Sequence, residues 1–422
     1  MASSSGLSRS LGFPMLVFYG VGMILGAGIY SIIGKAAQQT GESLWLGFAM
    51  AGVAAMMTAL SYAELSTLFP KAGAEFVYLG AAFDRKKWIA ATVGIAMALS
   101  GAATAAAVAM AFAGYLNSFF EVQESLVAVL VLLSFTGVAV IGIRTSGWFT
   151  VVSTLIEVGG LIFIIYLGTR SEKFMETLSV SPTLGTLSGM ALIIFSFFGF
   201  ENIANLAEES KKPQRDLPWA ILLSVAIATT LYIFVSMSAL ALLSVESLAG
   251  SKAPLMDVAK SISAQAGKYM GIVALFSTAN TALISMIGAS RILYSMGRAG
   301  ELSKVITRTI PNRKTPWIAS IVIFIMATAL LPLGRLETVA GVSSLATMIA
   351  FFSVNVALIV LRYKNPSMKR SFRVPFSVGR FPLIPFIAAL ICLFLMTQFE
   401  ATVYLVGGVL LSVAAIIFIL RK

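Results

Sequence analysis

The sequence has no histidine and a single cysteine, Cys392, and only 11% of its residues are charged. Without histidine the commonest general base and metal ligand is missing, which excludes a zinc protease, a haem protein and a Ser-His-Asp hydrolase. A lone cysteine excludes a disulfide within the chain and a cysteine-based metal site. Ordinary soluble domains are about 25% charged. Here the charge is scarce, hydrophobic residues reach 58% and the mean hydropathy is +0.93. A soluble fold of 422 residues could not hide that much apolar surface. A bilayer removes the problem, because there the apolar surface faces lipid. Nothing in the composition calls for a metal or an organic cofactor. The net charge of +12 would suggest nucleic acid in a soluble protein; here the placement of the charges points to membrane orientation and not to a nucleic-acid partner.

A spanning helix needs about 20 mostly apolar residues. Twelve runs fit, at 13–33, 44–69, 88–117, 125–143, 149–169, 185–206, 218–244, 268–297, 317–334, 338–361, 382–398 and 401–420. The third and eighth exceed the bilayer thickness and are expected to tilt or to project into water. The polar start, Met1 to Ser10, has no short apolar core followed by a small-residue cleavage site, so the first run is expected to stay as an anchor. An even number of spans puts both termini on one side. Lys35, Arg170, Lys173, Lys252, Lys260, Lys268 and Arg335 fall on the opposite side, and every other lysine and arginine falls with the termini. The positive-inside rule then makes this a multi-pass protein of the cell membrane with both ends cytoplasmic. The longest polar stretches, 298–316 and 362–381, are basic, contain proline and lie on that same side.

In lipid, irregular backbone survives only where it lines a cavity or is buried in protein, so glycines inside spans carry information. The first span contains Gly20, Gly22, Gly26 and Gly28. The Gly26-Ala27-Gly28 step invites a break, which would offer N–H groups to an anion and carbonyls to a cation; close packing of helices through small residues is the other reading. The sixth span holds Gly199 among Phe195, Phe197, Phe198 and Phe200, with Glu201 next to them. An ionisable residue inside a membrane points to function, and a carboxylate that ties up backbone N–H groups at a break is the structural alternative. The phenylalanines are either ordinary packing residues or a gate. Glu157, in the fifth span, is the other mid-membrane acid. It would carry a proton, hold Na⁺ together with neighbouring oxygens, or make fixed hydrogen bonds between helices. Ser277, Thr278, Asn280, Thr281 and Ser285 of the eighth span read mostly as ties between helices. The small-residue third span, from Gly94 to Gly114, permits either tight packing or room for a substrate.

Two stretches resemble the amino acid–polyamine–organocation (APC) superfamily of transporters. Gly20-Val-Gly-Met-Ile-Leu-Gly-Ala-Gly-Ile-Tyr30 is similar to the first-helix signature, and the run from Gly199 to Pro218, Gly-Phe-Glu-Asn-Ile-Ala-Asn-Leu-Ala-Glu-Glu-Ser-Lys-Lys-Pro-Gln-Arg-Asp-Leu-Pro, to the sixth. Ser61-Tyr-Ala-Glu-Leu65, Phe69-Pro-Lys-Ala-Gly73, Gly142-Ile-Arg-Thr-Ser-Gly147 and Ala289-Ser-Arg-Ile-Leu-Tyr-Ser-Met-Gly-Arg298 support it in order. The resemblance implies an all-α membrane protein of twelve transmembrane helices with a five-plus-five inverted repeat. The halves would fall at about 13–169 and 185–361, helices 1 and 6 would be discontinuous, and two helices would be appended at about 382–420. It implies an amino acid substrate whose carboxylate meets N–H groups near Ala27 and Gly28 and whose ammonium meets carbonyls near Ile24 and in 195–199. The stretch around Gly26 would thus hold the backbone of the substrate. Phe195 and Phe198 would line or close the pocket, and Glu201 matches a position linked to gating. Some proton-coupled members place a lysine where this chain has Glu157, beside Gly22 and Ser277. A carboxylate cannot mimic the sodium charge as a lysine does, so coupling by Glu157, to a proton or to Na⁺, is a separate expectation. A polyamine or organic-cation carrier, an exchanger of the same fold and a non-transporting sensor are the rival readings; an enzyme is not expected.

Overall fold

The structure, a computed structural model, describes residues 7–117, 119–179, 181–251, 253–333, 336–399, 401, 403–405 and 407–408. The first half of the chain forms α1 (Phe13–Thr40), α2 (Leu44–Leu68), the short α3 (Ala74–Ala82), α4 (Lys87–Asn117), α5 (Glu124–Ile141) and α6 (Ile143–Thr169). The second forms α7 (Leu184–Ile193), the short α8 (Glu201–Asn205), α9 (Pro213–Leu242), α10 (Val245–Ala249), α11 (Pro254–Lys260), α12 (Ala264–Arg298), α13 (Trp317–Leu330), α14 (Leu336–Lys364) and α15 (Leu383–Met396). A small antiparallel hairpin, β1 (Ser377–Val378) with β2 (Phe381–Pro382), precedes α15. Among the described residues nine helices are long and apolar enough to cross a membrane, and Trp317–Leu330 and Leu383–Met396 are shorter apolar helices. The apolar run at 401–420 lies almost wholly outside the described residues.

Two boundaries differ from the hydropathy reading for physical reasons. The first helix continues past residue 33 to Thr40, because one face of this end, Ile33, Ala36, Ala37 and Thr40, is buried against protein while Lys35, Gln38 and Gln39 are exposed on the other. The run 185–206 is two short helices and not one, since a 3-10 turn at Ile194–Phe197 and extended backbone at Phe198 interrupt it. The long helices are as expected: α4 has 31 residues and α12 has 35. At 1.5 Å per residue they run to about 46 and about 52 Å, beyond a hydrocarbon core of about 30 Å.

Outward apolar side chains such as Leu130 and Leu133 of α5, Leu155 and Ile162 of α6 and Leu390 and Phe394 of α15 present the surface that lipid covers. Inside, α4 packs on α12 through small residues. A β-carbon at Gly101 would stand 2.8 Å from that of Ala289. Ser100 and Thr104 of α4 meet Ser343 and Thr347 of α14 in a cluster of hydroxyls. Ser100 lies 2.8 Å from the Ser343 hydroxyl and 2.9 Å from that of Thr347, and Thr104 lies 2.7 Å from Ser343.

The end of the bundle that carries the chain start is held by ion pairs. Arg291 of α12 donates to both oxygens of Glu209, at 2.8 and 3.2 Å, with both side chains buried. Arg298 pairs with Glu208 at 2.8 Å. The start of the chain is laid on this corner: the N–H groups of Ser10 and Leu11 donate to the Glu209 carbonyl at 3.0 Å, and that of Lys211 donates to the Leu11 carbonyl at 2.9 Å. On the other flank the fully buried Glu64 of α2 accepts from Arg362 at 2.5 and 3.1 Å, from Arg370 at 2.9 Å and from the Val374 N–H at 2.7 Å.

Glu75, in the segment joining α2 to α4, has no ion-pair partner among the described residues. The Tyr62 hydroxyl donates to one oxygen at 3.1 Å and the Asn205 amide to the other at 3.5 Å. Burial pushes this carboxyl up to about 7 from an ordinary 4.5, against the smaller opposing effect of those hydrogen bonds. An acid with a raised folded pKa stays protonated where the unfolded chain is already ionised. Stability is therefore fully retained below pH 4.5, falls as pH rises to about 7, and levels off above. The loss is on the order of 3 kcal/mol. Glu75→Gln is expected to flatten the unfolding midpoint of detergent-purified protein between pH 5 and pH 8, roughly the window of that titration. A variant that follows the wild-type slope would assign the pH dependence elsewhere.

Candidate functional site

The backbone of α1 departs from helix at Gly26, with φ −29° and ψ −142°. Glycine bears such a conformation at low cost, and here the place of a β-carbon is taken by the Thr281 side chain of α12. In the sixth span Gly199 has φ +131°, a region that side chains with a β-carbon rarely enter. The two interruptions touch. A β-carbon on Gly28 would stand 2.7 Å from the Ser196 Cα, and one on Gly199 would meet Met23.

Broken helices leave carbonyls without partners, and buried carbonyls need donors. Tyr232 of α9 supplies one. Its hydroxyl points between the breaks and donates to the Ile24 carbonyl at 2.5 Å and the Ser196 carbonyl at 2.9 Å. The ring is fully buried between Phe48 and Phe197. One hydroxyl hydrogen shared by two carbonyls leaves lone pairs open on both. Tyr232→Phe is expected to lower the unfolding midpoint by the equivalent of about 1–3 kcal/mol, the cost of leaving buried acceptors without a donor. An unchanged midpoint would mean that the two breaks hold without the bridge.

A cavity of about 600 Å³, counting its open mouth, lies against the breaks. Met23, Ile24 and Gly28 line it from α1; Phe195, Phe198, Glu201 and Asn202 from the sixth span; Ser100 and Thr104 from α4; Thr281 from α12; and Ser343 and Thr347 from α14. Phe195 and Phe198 stand edge to face, 5.6 Å between ring centres. Glu201 does two things at once. It lines the cavity, and its carboxylate accepts from the Gly199 N–H at 2.8 Å and from the Asn202 amide at 3.2 Å. The functional and structural readings of this acid are therefore not exclusive. Of the other residues expected here, Gly26 and Gly199 form the breaks next to the lining, and the side chain of Ala27 lies outside the described residues.

A second polar site sits behind α1. Glu157 of α6 is fully buried, and the Ser277 hydroxyl of α12 donates to its Oε1. Its Oε2 and the Asn280 Oδ1 have no hydrogen-bond partner among the described residues. The Asn280 amide donates to the Thr154 hydroxyl at 3.2 Å, which donates in turn to the Phe18 carbonyl at 3.1 Å. Gly22 meets Thr154 and Asn280: a β-carbon there would stand 2.5 Å from the Asn280 amide nitrogen. Glu157 and Ser277 are thus brought together, and Gly22 packs on the Thr154 and Asn280 side chains. Thr154, Asn280 and Tyr232 complete the two sites without having been singled out for them from the sequence.

Two interrupted helices that touch beside a cavity, inside a bundle of apolar spanning helices, define a membrane carrier. The chain belongs to the amino acid permease family of the APC superfamily, whose family model, described as "Amino acid permease", matches residues 11–420. The chain is similar to the branched-chain amino acid permease BcaP of Bacillus subtilis (strain 168), 27% identical over 94% of this chain and 90% of the relative. It is also similar to the methylthioribose transporter of the same organism, 27% identical over 99% of the chain and 94% of the relative. A third relative is the vacuolar cationic amino acid transporter 4 of Arabidopsis thaliana, 30% identical over 85% of the chain and 64% of the relative. All three are named as permeases or transporters.

Proposed function

We propose that this protein moves amino acids across the cell membrane by alternating access, and that Glu157 couples the movement to protons. The observation that carries the first part is the meeting of the two helix breaks at the cavity wall, with the Ile24 and Ser196 carbonyls bridged by Tyr232. Open lone pairs on those carbonyls suit a substrate ammonium, and the N–H groups after the break, near Ala27 and Gly28, suit its carboxylate. Phe195 and Phe198 close over the bound molecule, and Glu201 ties the cavity wall to the Gly199 turn. The full architecture belongs to the same reading: twelve spans, two inverted five-helix halves, two appended helices and both termini in the cytoplasm. The names of the relatives support an amino acid as cargo.

The coupling part rests on Glu157. A buried carboxyl with one oxygen accepting from Ser277 and the other without a hydrogen-bond partner among the described residues is an arrangement that protonation relieves of its charge. Na⁺ held by the same oxygens is the competing reading. Uptake of labelled amino acids into proteoliposomes tests both parts. Glu157→Gln is expected to keep exchange of internal for external substrate and to lose accumulation driven by a pH gradient. Gradient-driven accumulation that survives the substitution sinks proton coupling by Glu157, and a demand for Na⁺ replaces it with the alternative.

One observation favours a second cargo. Glu201 is the only ionisable side chain on the cavity wall among the described residues. A wall with an acid and no base disfavours a second carboxylate on the substrate and tolerates a second ammonium. Competition by lysine, arginine and polyamines against neutral amino acids separates these cargoes.

A further inference from the structure

Between α14 and α15 the chain makes an ordered hairpin, not a loose loop. Glu64 anchors it by accepting from Arg362, Arg370 and the Val374 N–H, and Arg362 reaches on to the Val374 carbonyl at 3.0 Å and the Ser377 hydroxyl at 2.5 Å. The first strand and the residue that leads into it are built in an unexpected way. Phe376 is 74% exposed and Val378 68% exposed. Phe376 also has φ +56°, a left-handed conformation that bulky side chains resist. Its carbonyl is fixed there by the Leu383 N–H at 3.1 Å. In water such a residue would cost both backbone strain and exposed apolar surface. Glycine or asparagine would avoid both.

The surroundings resolve the contradiction. The hairpin runs without a gap into α15, whose Leu383, Phe386 and Ile387 face outward as a lipid-facing helix does. The base of the hairpin, where Phe376 meets the start of α15, is therefore suited to the membrane–water interface, where aromatic side chains gain from partial immersion. Lys369 and Arg373 precede the hairpin and Arg380 stands in its turn, all exposed and in no ion pair among the described residues. The paired arginines of this segment, Arg362 and Arg370, point inward to Glu64, so the anchoring and the outward-facing charges are divided between different residues.

We propose that this hairpin is a binding surface for the headgroup of an anionic phospholipid. Phe376 and Val378 enter the interfacial layer and the three free cations meet the phosphate. The complementarity is of charge and of depth together: a soluble anion would use the cations and have no use for the phenylalanine.

The full-length protein, purified in detergent, is offered equal amounts of phosphatidylglycerol and phosphatidylcholine, and retained lipid is counted by native mass spectrometry. Wild type is expected to prefer phosphatidylglycerol by at least about tenfold, and K369Q/R373Q/R380Q to approach parity, given about fivefold for each cation near a headgroup. Phe376→Gly relieves the backbone at that position and is expected to lower phosphatidylglycerol retention by about tenfold through lost apolar contact. A triple variant with the wild-type preference would overturn the assignment. So would Phe376→Gly with undiminished retention. Displacement of the lipid by excess inorganic phosphate would make this a site for free anions, and would overturn it equally.

Discussion

Gly199→Ala is expected to abolish measurable uptake while leaving the protein membrane-inserted and helical. The φ of +131° is one that a β-carbon makes costly, and the position the new carbon would take is occupied by Met23, with the Met23 carbonyl carbon 3.1 Å away. Strain of this kind costs about 1–3 kcal/mol, and overpacking of a filled interior adds about 1–3 kcal/mol. Even about 2 kcal/mol is close to a thirtyfold change in population, so the interruption would be driven toward another geometry. Three things depend on the present one: the N–H that Glu201 accepts, the Ser196 carbonyl that Tyr232 reaches, and the contact of the two breaks. The measurement is initial uptake into proteoliposomes, normalised to inserted protein. An alanine variant that transports at the wild-type rate would show that the conformation at residue 199 is incidental.

Arg291→Ala should give the largest loss of stability. Arg291 and Glu209 are 0% and 1% exposed, and the guanidinium satisfies both carboxylate oxygens. Removing the cation leaves a carboxylate in a dry site with nothing opposite it, which costs about 3–5 kcal/mol. Replacing both partners by apolar residues of similar volume removes that burden, so Arg291→Met with Glu209→Leu should recover most of the loss. The check is the unfolding midpoint of the single and double variants in one detergent. If the double variant is as unstable as the single, the pair is not where the stability lies. The expected effect also reaches the start of the chain, because Ser10 and Leu11 are held by the backbone of Glu209.

The spans were legible because lipid leaves the chain little choice: apolar runs of sufficient length must be helices. Their ends were less so where protein replaces lipid as the surroundings, as between residue 33 and Thr40. The interruptions were half legible. Glycines marked the places, but the same glycines would serve close packing, and only the non-helical backbone at Gly26 and the φ of +131° at Gly199 separate the two. Glu157 and Glu201 stood out as acids in apolar runs, whereas Tyr232 did not, since one aromatic among apolar residues carries no local signal. Its role depends on two carbonyls 208 and 36 residues away along the chain. The ion pairs were invisible for the same reason: Arg291 finds Glu209 across 82 residues. The resemblance named the runs that contain Glu64, Glu208, Glu209, Arg291 and Arg298, but not which acid answers which base.

The hydroxyl cluster between α4 and α14 differs in kind from the ion pairs. An arginine–carboxylate fork fits one arrangement and loses heavily in any other. Ser100, Thr104, Ser343 and Thr347 each both donate and accept, and each hydroxyl turns freely to find a neighbour. Moving α14 along α4 by part of a turn would break some of these bonds and make others, so few polar atoms would be stranded on the way. The seam beside the cavity is therefore a sliding bearing, while the charged corners of the bundle are welds. The resistance to motion there is then left to the apolar side chains that must pass one another rather than to the number of hydrogen bonds.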